Sequence, residues 1–127
     1  PASRAASLAT IEYIEQNDLI RQSSENGAYF LEQLQRLREL PIVGDVRGLG
    51  MWTCVDFTVD KKTKAPFKDK TIKNIVHRCR DMGVLIGEEG TAVEMSPPYI
   101  ASRDELDTCV DTLEKAIIAE TKDKGLG

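Results

Sequence analysis

Leu8, Ile11 and Ile14 recur at helical spacing through an alanine-rich opening, so a helix is predicted over residues 2–16 with one apolar stripe. Asn17-Asp18 reads as a joint, with Asp18 capping a second, longer helix. There Ile20, Gly27, Phe30, Leu31, Leu34 and Leu37 lie near one face, and Pro41 ends the element because it cannot continue a helix. Gly27 costs about 1 kcal/mol relative to alanine inside a helix, so it is expected to admit a close neighbour or to mark a kink.

The period then shortens to that of a strand. Met51, Thr53, Val55, Phe57 and Val59 alternate with Trp52, Cys54, Asp56 and Thr58, which predicts the longest strand of the chain, covered mainly on one side. Asp60-Lys61-Lys62-Thr63-Lys64-Ala65-Pro66 is expected to be a solvated loop tip, since it lacks the glycine cradle that organises phosphate oxygens. Asp69 next caps a helix that buries Ile72, Ile75, Val76, Cys79 and Met82. Its other side, with Lys70, Lys73, Asn74, His77, Arg78 and Arg80, is expected to face water.

The segment from Gly83 onward is dense in signals. Gly83 stops the helix in a left-handed conformation, and Val84-Leu85-Ile86 suits a short buried strand. Gly87 and Gly90 bracket a turn, Ala92 to Met95 returns as a strand, and Pro97-Pro98 ends it for want of an N–H. Ser102 and Glu105 form a capping-box signature for a last helix, with Leu106, Val110, Leu113 and Ile117 inward. Lys122-Asp123-Lys124-Gly125 is expected to fray. The order α, α, β, α, β, β, α predicts an α/β (α+β) two-layer sandwich, a sheet of about three strands with helices packed on one face.

Composition narrows the function classes. The 127 residues are 41% hydrophobic and 30% charged, which fits one folded domain over 1–127 rather than a disordered chain. With 17 Lys and Arg against 21 Asp and Glu, the net charge of −4 gives no electrostatic case for nucleic acid or an anionic membrane. No apolar run reaches the length of a membrane span. Cys54, Cys79 and Cys109 lack metal-ligand spacing and fit reduced thiols, so a cytoplasmic location is expected. His77 stands two residues before Cys79, on another helix face, and the two cannot share one ion.

Three stretches together resemble one family. Ser96-Pro97-Pro98-Tyr99-Ile100 before the capped last helix is similar to the carboxyl-terminal part of class III pyridoxal-phosphate aminotransferases. Val43-Gly44-Asp45-Val46-Arg47-Gly48-Leu49-Gly50-Met51 resembles that family's Val-x-Asp-Val-Arg-Gly-x-Gly-Leu/Met stretch, and Pro1-Ala2-Ser3-Arg4-Ala5-Ala6 the run that opens the helix into its small domain. The resemblance implies a carboxyl-terminal small domain, resembling that of pyridoxal-phosphate-dependent transferases. The cofactor and its Schiff-base lysine would then lie in a large domain of a longer, homodimeric parent. Pro1, inside a helix-opening motif, is read as the edge of a longer chain. By this reading the chain alone is expected to be inactive, while the parent moves an amino group from an amine or ω-amino acid to a keto acid.

Candidate chemistry is sparse. Lys61, Lys62, Lys64, Lys68, Lys70, Lys73, Lys115, Lys122 and Lys124 all fall in polar loops, exposed helix faces or the tail, whereas a Schiff-base lysine needs a desolvated or cationic setting. Lys124-Gly125 resembles a catalytic Lys-Gly pair only superficially. Family members place a carboxylate-binding arginine at the position of Glu94 or at that of Gly87, and both departures leave the substrate open. Glu94 reads either as a solvated charge on an alternating strand or as a partner for a substrate ammonium. Arg47 is expected to fix a turn or domain contact more than to bind substrate, and Trp52 to be a core or interdomain aromatic. A second reading of the whole is a free-standing α/β module that binds a metabolite or a partner protein, or self-associates through an apolar surface.

Overall fold

A computed structural model describes residues 1–126; Gly127, the last residue of Lys124-Gly125-Leu126-Gly127, lies outside the described residues. In chain order come α1 (Ala2–Gln16), α2 (Leu19–Gln35), a 3₁₀ turn (Arg36–Glu39), β1 (Val43–Leu49), β2 (Trp52–Phe57), α3 (Thr71–Asp81), β3 (Gly87–Glu89), β4 (Ala92–Met95) and α4 (Arg103–Asp123). The strands form one antiparallel sheet in the order β1-β2-β4-β3. Val46, Val55, Phe57, Val93 and Met95 meet Phe30, Leu34, Ile75, Cys79, Leu106, Val110, Leu113 and Ile117 in one buried cluster. The expected sandwich is therefore present, with α2, α3 and α4 supplying the helical side of the core.

The sheet has four strands, not three. The missing one is β1, whose Gly44 and Gly48 read as turn residues; only Gly50-Met51 make the turn, Gly50 at φ +58°, and Val43 to Leu49 pair with β2. At seven residues β1 also exceeds the six of β2, which the alternation had marked as the longest strand. Val84-Leu85-Ile86 is not a strand. Gly83 at φ +90° closes α3 in a Schellman motif: Val84 N–H donates to the Cys79 carbonyl at 2.9 Å and Gly83 N–H to that of Arg80 at 2.9 Å. Val84 is thereby committed to the helix end, Leu85 is 83% exposed, and pairing starts at Gly87.

Three helix expectations also change. The α1 stripe is uncovered, with no buried residue in that helix. Asp18 makes no side-chain cap; it adopts φ 51° and its carboxylate takes Arg21 instead. On α3, Asn74 and Arg78 turn to α4, where the buried Glu120 accepts from Asn74 Nδ2 at 2.9 Å and Arg78 Nε at 3.2 Å. That carboxylate pulls two polar side chains out of the solvent face, since burying it unpaired would cost several kcal/mol, order ~3–5.

The Asp69 cap is displaced: Lys70 takes the N-cap position of α3 without a side-chain hydrogen bond, and Asp69, one residue earlier, accepts from the Thr71 backbone N–H at 3.0 Å, whereas Ser102 and Glu105 make the expected reciprocal capping box. The carboxyl end is docked rather than frayed. Lys124 Nζ reaches Asp69 Oδ2 at 2.5 Å, and Leu126 N–H donates to the Thr121 carbonyl while its side chain packs against the core.

Candidate functional site

Strand register brings the three residues singled out in the sequence into one line. Arg47 on β1 pairs with Cys54 on β2, Cys54 with Glu94 on β4, and Glu94 with Gly87 on β3. Val46, Val55 and Val93, one step along, point into the core, so by alternation this row lies on the face turned away from the helices. Cys54 was not anticipated there, although its alternation with Thr53 and Val55 carries the signal.

The charged groups on this face are mostly spoken for. Arg47 Nη1 lies 3.3 Å from Asp45 Oδ2 and 3.2 Å from Asp56 Oδ2, and Arg38 holds Asp45 at 2.6 Å. Arg47 thus grips carboxylates of the sheet. Its pKa is raised by the adjoining Cys54 sulfur and by the Asp56 hydrogen bond. Burial works to raise that of Asp45, but hydrogen bonds from Arg38 and from the Val46 N–H leave it below the ordinary value. The Cys54 thiol is pushed up, chiefly by burial. Glu94 is different: half-buried, its one side-chain hydrogen bond among the described residues comes from Ser96 Oγ at 3.4 Å.

Two adjoining clefts open along β4 and the segment that follows. One is lined by Gly87, Glu88, Glu94 and Ser96-Pro97-Pro98, the other by Leu49, Trp52, Tyr99 and the same Ser-Pro-Pro run. Trp52 is 65% exposed, so it is not a core aromatic. It lines the second cleft with Leu49 and Tyr99, and these three side chains, like Ile100, are exposed.

None of the nine lysines is buried; eight are exposed, and the half-buried Lys124 is paired with Asp69. Among the described residues no group of three or more His, Cys, Asp or Glu side chains could hold a metal ion. No helix among them is long and apolar enough to cross a membrane.

The sequence pattern of the aminotransferase class-III family matches residues 1–117, and the chain belongs to that family. It is 35% identical over 125 residues to the (R)-1-hydroxy-2-aminoethylphosphonate ammonia-lyase of Vibrio splendidus, covering 97% of this chain and 26% of the relative. Among solved structures, an aminotransferase of Bacillus anthracis superposes with a TM-score of 0.91 at 32% identity, covering 94% of this chain and 28% of that one. The omega transaminase of Pseudomonas jessenii in complex with PMP does so at 0.87 and 26% identity, over 91% and 26%. The chain therefore spans about a quarter of the length of the relatives it matches.

Proposed function

We propose that residues 1–127 are the carboxyl-terminal small domain of a pyridoxal-phosphate-dependent aminotransferase, and that the parent moves an amino group from an amine or ω-amino acid to a keto acid. The match to the class III family over residues 1–117 carries this reading. In the parent, pyridoxal phosphate supplies the electron sink for chemistry at the amine carbon. The residues present do not fit that cofactor, because a Schiff-base lysine needs an enclosed setting and every lysine here is exposed or ion-paired. The reactive lysine accordingly belongs to the remainder of the parent.

This lobe contributes a wall. Leu49, Trp52, Tyr99 and Ile100 meet the large domain, and closing them against it excludes water from the substrate. Glu94 and Gly87 border the substrate, and Arg47, locked by Asp45 and Asp56, is a positioning residue that stiffens the sheet beneath them. The parent works as a cytoplasmic homodimer; three cysteines present as free thiols suit a reducing compartment.

Titration of the chain with pyridoxal phosphate tests the division of labour. No saturable visible band is expected, whereas the chain joined to the rest of its coding region should develop one and turn over amines. A saturable band in the chain alone that a lysine substitution removes would overturn the proposal, as would a parent that neither gains the band nor transfers amino groups.

A further inference from the structure

We propose that α1 docks a second copy of this chain, whose own α1 lies antiparallel to it about a two-fold axis. The helix has 15 residues and none is buried, so most of its circumference stands in water. Arg4, Leu8, Ile11 and Glu15 follow one another at steps of four, three and four, the spacing of a coiled-coil seam, and so share one line along the helix. Leu8 is 57% exposed and Ile11 54%. Ile14, the one half-buried residue of α1, stands about 90° around the helix from that line, which leaves the seam clear of the rest of the fold.

The order of the charges identifies the occupant. The line reads basic, apolar, apolar, acidic, and it is symmetric about the midpoint between Leu8 and Ile11. A second α1 running the opposite way sets Leu8 of one copy against Ile11 of the other, and Arg4 of one against Glu15 of the other. The two-fold axis then repeats both contacts. A parallel copy would oppose Arg4 to Arg4 and Glu15 to Glu15, so the charges select the antiparallel arrangement. Both groups are free to pair. Arg4 and Glu15 enter no ion pair among the described residues, whereas Asp18, Arg21 and Glu25 just beyond them are joined to one another. The seam from Arg4 to Glu15 is about 16 Å long, a small contact beside the roughly 1,200 Å² that a stable complex buries. The dimer is accordingly weak and reversible, and it is a property of these 127 residues that lies outside the amino-transfer reading.

Sedimentation equilibrium of the 127-residue chain, which carries its own buried core, tests this from about 10 μM to about 1 mM. A monomer–dimer equilibrium is expected. Arg4→Glu and Glu15→Arg each replace two ion pairs with two repulsions, so each should raise the dissociation constant at least about tenfold. Mixing the two variants should restore association, because each then carries the charges that the other needs. Leu8→Ser should abolish it. A chain that stays monomeric at the top of the range overturns the proposal. Association that persists unchanged in Arg4→Glu or Leu8→Ser places the contact on another surface and overturns it too, as does a mixture that stays monomeric while circular dichroism shows both variants folded. Each of these results leaves the cofactor band and amino transfer of the parent intact, so failure here is distinguishable from failure of the aminotransferase reading.

Discussion

Gly27 and Gly50 touch backbone to backbone: a Cβ placed on Gly27 would stand 2.3 Å from the carbonyl carbon and oxygen of Gly50. The helix α2 therefore lies directly on the β1–β2 turn, and nothing soft is available to move aside. The cost of a helical glycine, about 1 kcal/mol, is accepted for that approach. Gly27→Ala gains helix propensity yet must push the turn away, so a net loss on the order of 2–3 kcal/mol is expected, as for an overpacked core. Urea unfolding measures it; an unchanged or increased midpoint would show that the two elements are not in contact.

That contact was half legible in the sequence. Gly27 in a long amphipathic helix announces a close approach, but the neighbour comes from a stretch whose glycines conceal a strand. Gly44 and Gly48 lower the strand signal of β1 although hairpin pairing with β2 overrides them. Val84-Leu85-Ile86 fails for the opposite reason: its apolar run looks like a buried strand, while the Schellman closure of α3 already uses the Val84 N–H. Local signals such as the Ser102–Glu105 box and Gly83 were readable because both partners sit within a few residues. The Arg47–Cys54–Glu94–Gly87 row was not readable, since it depends on strand order across the sheet. Glu94, Gly87 and Arg47 could be named singly, but only register makes them neighbours.

The tie between Asp69 and Lys124 gives the chain an acid-sensitive end. The Lys124 ammonium, then Thr71 through its hydroxyl and N–H, hold the Asp69 carboxyl at about 2, below its ordinary 3.8. A carboxyl with a depressed folded pKa binds its proton more readily when unfolded, so its stabilisation is complete above about pH 4 and is lost as the pH falls toward about 2. The Asp69 side-chain carbon followed by NMR should titrate near 2, and Lys124→Gln should move the midpoint up toward the ordinary value. An Asp69 midpoint near 3.8 in the unaltered chain would sink this account. The same substitution should raise hydrogen exchange at Leu126, whose N–H bonds Thr121 just beyond the tie.

The three thiols should separate cleanly by environment. Cys79, fully buried, is pushed up to about 12 by burial and then by Cys109, and Cys109 to about 11 by burial. Cys54 is also raised by burial, but Arg47 across the strand pair opposes that shift, and its position on the uncovered face admits reagent. Because the thiolate is the nucleophile, iodoacetamide at mildly alkaline pH should label Cys54 first, the half-buried Cys109 more slowly, and Cys79 only as the chain unfolds. Mass spectrometry of partially labelled protein reads the order directly. Arg47→Gln should slow Cys54 further while leaving the other two unchanged, because removing the nearby cation withdraws the one influence favouring its thiolate. Labelling of Cys79 ahead of Cys54 in the native chain would mean that α3 and α4 open more easily than their shared core and the Asn74, Arg78 and Glu120 clamp imply.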